Sequence, residues 1–287
     1  MEFYRHDPGV QSGSMSSRGA GTIGPSGAYR VSGRVVLYIH GGGMAGIWGF
    51  GLFDALRELE SSRCATICGL HGYSFGAILA VMYACGVSTG DAVRAYRLLS
   101  DDGECAGIVQ TGLCRRLVET IIPGLGGPLL PPDAYRRCTG VVHIGRTVTN
   151  SAARYTEVST FGSNDALVEA LESSCRIPGV TAPVSSVWRE RSVDGVFGML
   201  LWGWPESDAS TPAGRHGECV RIECVPPAVG YTYIFHLGDP YAESLVLQGT
   251  IDMGRFLRGW PTPNIRMLKS HVWQRIHRTI DRKLWGG

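Results

Sequence analysis

Two glycine-rich turns set 31 residues apart constrain this chain more than any other feature. The first, Gly41-Gly42-Gly43-Met44-Ala45-Gly46, follows the apolar run Val35-Val36-Leu37-Tyr38-Ile39. The second, Gly72-Tyr73-Ser74-Phe75-Gly76, follows Ala65-Thr66-Ile67-Cys68-Gly69-Leu70. Each stands where a short buried strand turns sharply into a helix. In the second, G-x-S-x-G, glycines on both sides of the serine permit the strained turn of a nucleophile elbow. In the first, backbone N–H groups unobstructed by side chains open a helix, where an oxyanion can be held. A serine nucleophile and a cradle for developing negative charge are two of the three parts of an acyl hydrolase. The third is a base.

Spacing separates two architectures that use such parts. His40-Gly41-Gly42-Gly43 also reads as the oxyanion motif of α/β-hydrolase esterases, but that fold inserts further elements before the elbow. Between Gly46 and Gly72 there is room for one helix, Ile47 to Leu59 with Leu52, Leu56 and Leu59 on one face, and one strand, Ala65 to Leu70. This compact strand–loop–helix–strand–elbow unit resembles the patatin-like phospholipase family, whose G-G-G-x-x-G and G-x-S-x-G motifs have about this separation. Downstream, Asp194-Gly195-Val196 resembles the family's D-G-[GA] turn, and Asp165 to Pro178 resembles the helix and small-polar-x-x-Pro turn before it. Val141 to Thr149 is similar to the preceding strand of the animal lipid-droplet lipase branch. The resemblance spans roughly residues 35 to 200.

It implies an α/β fold, three-layer α/β/α with a mixed, mostly parallel central sheet. It also implies a lipid acyl hydrolase with a Ser74–Asp194 dyad and an oxyanion hole at Gly41, Gly42 and Gly43. Gly46, Gly72, Gly76 and Gly195 are then the motif glycines. No cofactor and no metal is needed, and the substrate is a phospholipid or acylglycerol. Ala45 stands where plant and bacterial members carry Arg or Lys, and Val196 replaces the usual Gly or Ala. A homologue that binds lipid without turnover, and an acyltransferase on the same fold, are the alternatives. His236 offers a Ser–Asp–His order as a further one. Met199-Leu200-Leu201-Trp202-Gly203-Trp204 reads either as core strand or as a wall of the acyl pocket, with Tyr73 and Phe75 beside it.

Charge is unevenly placed. The chain of 287 residues has a formal net charge of +2, yet residues 255 to 287 carry eight Lys or Arg and one acid, Asp281. Such a segment points to an anionic partner, a membrane surface or nucleic acid; with the lipid reading, no nucleic acid is expected. Residues 1–33 form a Gly/Ser-rich disordered tail without the apolar core of a signal peptide. Residues 34–204 hold the catalytic core, and 205–287 a C-terminal extension that opens with a Pro/Ser/Gly linker. Nine cysteines show neither a paired framework nor metal-ligand spacing, which favours a reducing compartment. The expected location is cytoplasmic, or peripheral on a membrane or lipid droplet. Cys64 to Gly90 is free of charge, but Gly69, Gly72 and Gly76 break it, so a buried strand and helix are expected instead of a transmembrane span.

The segment 264–285 has helical spacing, with Ile265, Leu268, Val272, Ile276, Ile280 and Leu284 on one face and basic residues around it. If it lies in a membrane interface, each basic residue contributes about 1 kcal/mol on an anionic surface. Changing Arg275, Arg278 and Arg282 together to Gln is expected to release the protein from anionic vesicles and leave hydrolysis of a soluble ester unchanged. Cosedimentation at low and high salt checks this; binding indifferent to lipid charge and salt would exclude the electrostatic anchor.

Overall fold

The apolar run after residue 33 forms the strand β1 (Gly33–Ile39), and the sheet is assembled around it. The computed structural model describes residues 31–101, 115–116, 128–149, 154–185, 191–202, 219–227 and 242–268. From β1 the chain passes through a 3-10 helix (Gly43–Gly51) and α1 (Leu52–Ser61) into β2 (Ala65–Tyr73). Next come α2 (Phe75–Ala84), α3 (Thr89–Asp101), α4 (Ala134–Cys138), β3 (Val142–Val148), β4 (Arg154–Val158) and α5 (Asn164–Ser174). A short β5 (Ser192–Asp194) runs directly into α6 (Gly195–Trp202), followed by β6 (Val220–Cys224), α7 (Ala242–Leu257) and β7 (Ile265–Met267).

These strands form one seven-stranded mixed sheet of order β4-β3-β2-β1-β6-β7, with β5 paired to β3. The central strands β3, β2, β1 and β6 run parallel, and β4, β5 and β7 join antiparallel. Parallel neighbours require crossover connections, which the helices supply. The chain is therefore α/β. Strands β6 and β7 come from the segment expected as a C-terminal extension, and β6 lies beside β1 at the centre of the sheet.

Side chains alternate across the sheet. Val35, Leu37, Ile39, Leu70, Val142, Ile144, Ile222 and Cys224 join one core with residues of α1, α2 and α5. Tyr38, His71, Tyr73, His143, Thr147, Glu157 and Glu223 alternate with them on the opposite face, where α6 packs: Gly198 N–H donates to Thr147 Oγ1 at 2.7 Å. Helix α2 is buried from Phe75 to Tyr83, which explains the charge-free stretch. Among the described residues no helix is long and apolar enough to cross a membrane.

Several expectations are corrected. The helix expected over Ile47–Leu59 begins as a 3-10 helix and turns α-helical only at Leu52, because the Gly-rich start packs tightly on α2, with Gly46 against Phe75 and Gly49 against Leu79. The segment Met199–Trp202 is part of a helix and not a core strand; Phe197, Leu200 and Leu201 are exposed by 44%, 69% and 63%. Residues 265–267 are not the first turn of a helix. They pair with β6, and Asn264 donates to Asp252 Oδ2 at 2.7 Å in place of capping a helix. Pairing with an open sheet edge outweighs helical periodicity here. The rest of that segment, the tail before residue 31, the linker at 205–217, Trp204 and His236 lie outside the described residues.

Helix α7 and strand β4 carried no clear sequence signal. α7 crosses the 3-10 helix at backbone contact, where Gly249 faces the Trp48 carbonyl and Gly51 faces that of Val246. Asp252, buried in α7, accepts from Trp48 Nε1 at 2.9 Å and Gln248 Nε2 at 2.8 Å. Gly249→Ala tests this contact. Helix propensity alone would favour Ala by about 1 kcal/mol, but a Cβ there overlaps backbone, and overpacking costs about 1–3 kcal/mol. Urea unfolding is expected to show a net loss of stability.

Candidate active site

Ser74 sits between the end of β2 and the start of α2 with φ 54° and ψ −136°, a left-handed conformation that costs free energy for a non-glycine residue. Its surroundings allow no relaxation. A Cβ on Gly72 would stand 2.5 Å from the Gly76 carbonyl oxygen, and one on Gly76 would overlap the carbonyl of Ile39. Glycine at both places lets the elbow close onto the end of β1. The Ser74 amide donates to Ser174 Oγ at 2.8 Å, and that hydroxyl donates to the Gly145 carbonyl at 2.6 Å. Ser174, at the end of α5 and fully buried, thus ties the elbow to β3.

Asp194 ends β5, which β3 holds through the pairs Arg146↔Asp194 and Thr147↔Val193. Its backbone is fixed twice: the amide donates to the Arg176 carbonyl at 2.8 Å, and its carbonyl accepts from Thr147 Oγ1 at 2.8 Å. The side chain is fully buried. Oδ1 accepts from the Val196 amide at 2.8 Å, while Oδ2 is buried without a hydrogen bond. Burial pushes the carboxyl up to about 7, against the lowering effect of the Val196 amide and the Ser74 hydroxyl. Asp194 Oδ2 is left open on the buried side chain. Val196 sits in the first turn of α6, a backbone that any residue adopts. Gly195 lies against Tyr73 and Gly145, where a Cβ would fall 2.5 Å from the Tyr73 Cβ.

The glycine-rich loop meets the elbow directly. A Cβ on Gly41 would stand 2.7 Å from the Ser74 Cβ. Gly42 stands at the N-cap and Gly43 at the head of the 3-10 helix, with no side chain of their own over the backbone. Gly42 packs on Pro226, and Gly46 on Phe75, the residue after Ser74.

Behind this loop runs a polar chain that the spacing of motifs did not reveal. Tyr73 Oη is 2.8 Å from His40 Nδ1, and His40 Nε2 is 2.7 Å from Glu223 Oε1. Arg266 pairs with the other Glu223 oxygen. Burial would push Glu223 up, yet His40 and Arg266 bring it down to about 2. These four residues join the ends of β1, β2, β6 and β7. Ser174 had a signal in the small-polar turn before Pro178; Glu223 and Arg266 had none, because only the sheet order brings them to His40.

A family model for patatin-like phospholipases matches residues 37–199, more than half of the chain. The omega-hydroxyceramide transacylase of Homo sapiens is 27% identical over 197 residues, covering 67% of this chain and 36% of that protein. The omega-hydroxyceramide transacylase of Mus musculus is 27% identical over 158 residues, covering 55% and 26%. The chain thus spans about a third or less of these curated relatives. Among solved structures, the heterodimeric complex ExoU-SpcU from the type III secretion system of Pseudomonas aeruginosa aligns with a TM-score of 0.45 at 16% identity, over 83% of this chain and 53% of that one.

The carboxyl of Asp194 predicts a pH profile. If Asp194 serves as the base it must be ionised, and burial raises its carboxyl to about 7. The kcat/KM for a soluble ester is expected to reach a plateau above that pH and to fall by ~10-fold per unit below it. A pH–rate profile that stays flat down to pH ~5 would detach the reaction from this carboxylate.

Proposed function

The chain belongs to the patatin-like phospholipase family, and from that premise we propose that it is a serine lipid acyl hydrolase working through Ser74 and Asp194. What carries this reading is one juxtaposition: a strained, glycine-flanked serine and a buried carboxylate with one unoccupied oxygen, whose chain neighbours Tyr73 and Gly195 are packed together. Asp194 accepts the Ser74 proton as Oγ attacks the ester carbonyl. The amides of Gly42 and Gly43, with Gly41 beside them, hold the oxyanion as the tetrahedral intermediate forms. When the intermediate collapses, the ester C–O bond breaks and Asp194 returns the proton to the departing alcohol. A water then attacks the acyl-serine, gives its proton to Asp194, and the fatty acid leaves as Ser74 recovers its hydrogen.

A second reading keeps the first half of this cycle and changes the acceptor. Two relatives named as transacylases favour it: an alcohol on a second lipid would take the place of water. Both readings need the same dyad, so product analysis separates them. Incubation with mixed liposomes, with and without a long-chain diol, reports free fatty acid in one case and a new ester in the other. The exposed apolar side chains of α6, next to Asp194, suit a lipid surface as the source of substrate. Membrane or lipid-droplet association belongs to this proposal.

Ser74→Ala is expected to abolish ester turnover and labelling by a fluorophosphonate, without loss of folding. Asp194→Asn is expected to lower kcat by at least ~10²-fold. Its stability should move the other way. A carboxyl held at about 7 favours the folded state when protonated and loses that contribution as pH rises through 7. The Asn variant is therefore expected to melt no lower than the parent at pH ~8. Turnover within threefold of the parent in either variant would move the chemistry to other residues.

A further inference from the structure

A separate cluster lies on the face of the sheet opposite the apolar core. His71 on β2 and His143 on β3 are register partners, and Glu157 on β4 pairs with Gly145, two residues after His143. Their side chains converge. His71 Nδ1 is 2.9 Å from Glu157 Oε2, and His143 Nδ1 is 3.6 Å from that oxygen, beyond a hydrogen bond. The two imidazoles stack with centroids 4.1 Å apart. One donor atom from each of the three residues lies within 4.8 Å of the others.

We propose that His71, His143 and Glu157 form a binding site for a divalent transition metal such as zinc. Two imidazoles and one carboxylate are a ligand set for zinc and its neighbours, whereas calcium and magnesium prefer oxygen alone. Donors bonded at ~2.0–2.2 Å in a tetrahedral site stand roughly 3.3–3.5 Å apart, and the two measured separations bracket that value. The rings are held by stacking, His71 on His143 and also on Tyr38, so both Nδ1 atoms stay near the same Glu157 oxygen. Binding through Nδ1 uses the neutral imidazole with its proton on Nε2. The side chains are 6%, 10% and 11% exposed. With protein ligands at three positions, a fourth is left for water. The site would clamp β2, β3 and β4 together, and β2 leads straight into Ser74.

The test uses the full chain, freed of metal by a chelator. Titration with Zn²⁺ by calorimetry is expected to show one equivalent bound, and thermal stability should rise with added Zn²⁺. Co²⁺ should give visible d–d bands without the near-ultraviolet charge-transfer band of a thiolate ligand. His143→Gln and the isosteric Glu157→Gln are each expected to weaken binding by at least ~10-fold, whereas Ser74→Ala leaves it unchanged. Glu157→Gln preserves shape, so it decides the matter if the His143 variant folds poorly. Absence of saturable binding, a thiolate band, or affinity unchanged in both variants would overturn the site. Because the readout is metal binding and not ester turnover, the outcome is independent of the acyl chemistry.

Discussion

Because β1 and β2 pair in parallel from Gly33↔Ala65 to Ile39↔Gly72, the two glycine-rich turns leave the sheet at the same edge. That pairing is what the rest of the molecule depends on. It brings Gly41 against Ser74, and it seats Gly76 under the carbonyls of Ile39 and His40. Any side chain at these places would separate the oxyanion loop from the elbow. β3 then extends the parallel sheet on one side and, by pairing with β5, delivers Asp194 to the same edge. The general rule that open α/β sheets place their sites at the carboxyl ends of strands is met here by backbone contact.

The arrangement has free-energy costs that the surrounding structure must offset. A non-glycine residue at φ 54° and a fully buried carboxylate both oppose folding. The compensations are local and specific. Ser174 binds the amide that the elbow would leave without a partner. Thr147 and the Arg176 carbonyl fix the Asp194 backbone, so the carboxyl is held in place by main-chain bonds and not by a charge partner. A cation beside Asp194 would lower its pKa and weaken it as a base. Its absence among the described contacts of that side chain is what lets burial raise the carboxyl to about 7.

Much of this could be read from the chain because the informative contacts are short in sequence. The strand–turn–helix units around Gly41 and Ser74, and the 3.6-residue spacing of Leu52, Leu56 and Leu59, are local patterns. The helix before Asp194 announced itself likewise. What escaped was set by the sheet. Residues 265–267 have helical spacing but become β7 because β6 offers an edge. Met199–Trp202, which reads as core strand or as a pocket wall, is helical, because an uncharged run has no clear period. The chain from Tyr73 through His40 to Glu223 links residues 183 positions apart at its longest step, and no spacing rule reaches that far.

The two faces of the sheet differ in kind, and that difference links the proposed chemistry to the fold. One face is apolar and closed by α1, α2 and α5, which gives the sheet its stability. The other carries His71, Tyr73, His143, Glu157 and Glu223, groups that cost stability unless paired. Glu223 is held by His40 and Arg266, and Glu157 by His71, so each of these carboxylates has a partner where it stands. Hydrophobic residues in these positions would have been easier to bury. A polar layer of paired groups instead fixes strand ends and side-chain directions, since each bond tolerates little change in geometry. That rigidity lies directly behind the glycine-rich loop and the elbow, where the proposed acyl chemistry depends on positions held to within ~1 Å.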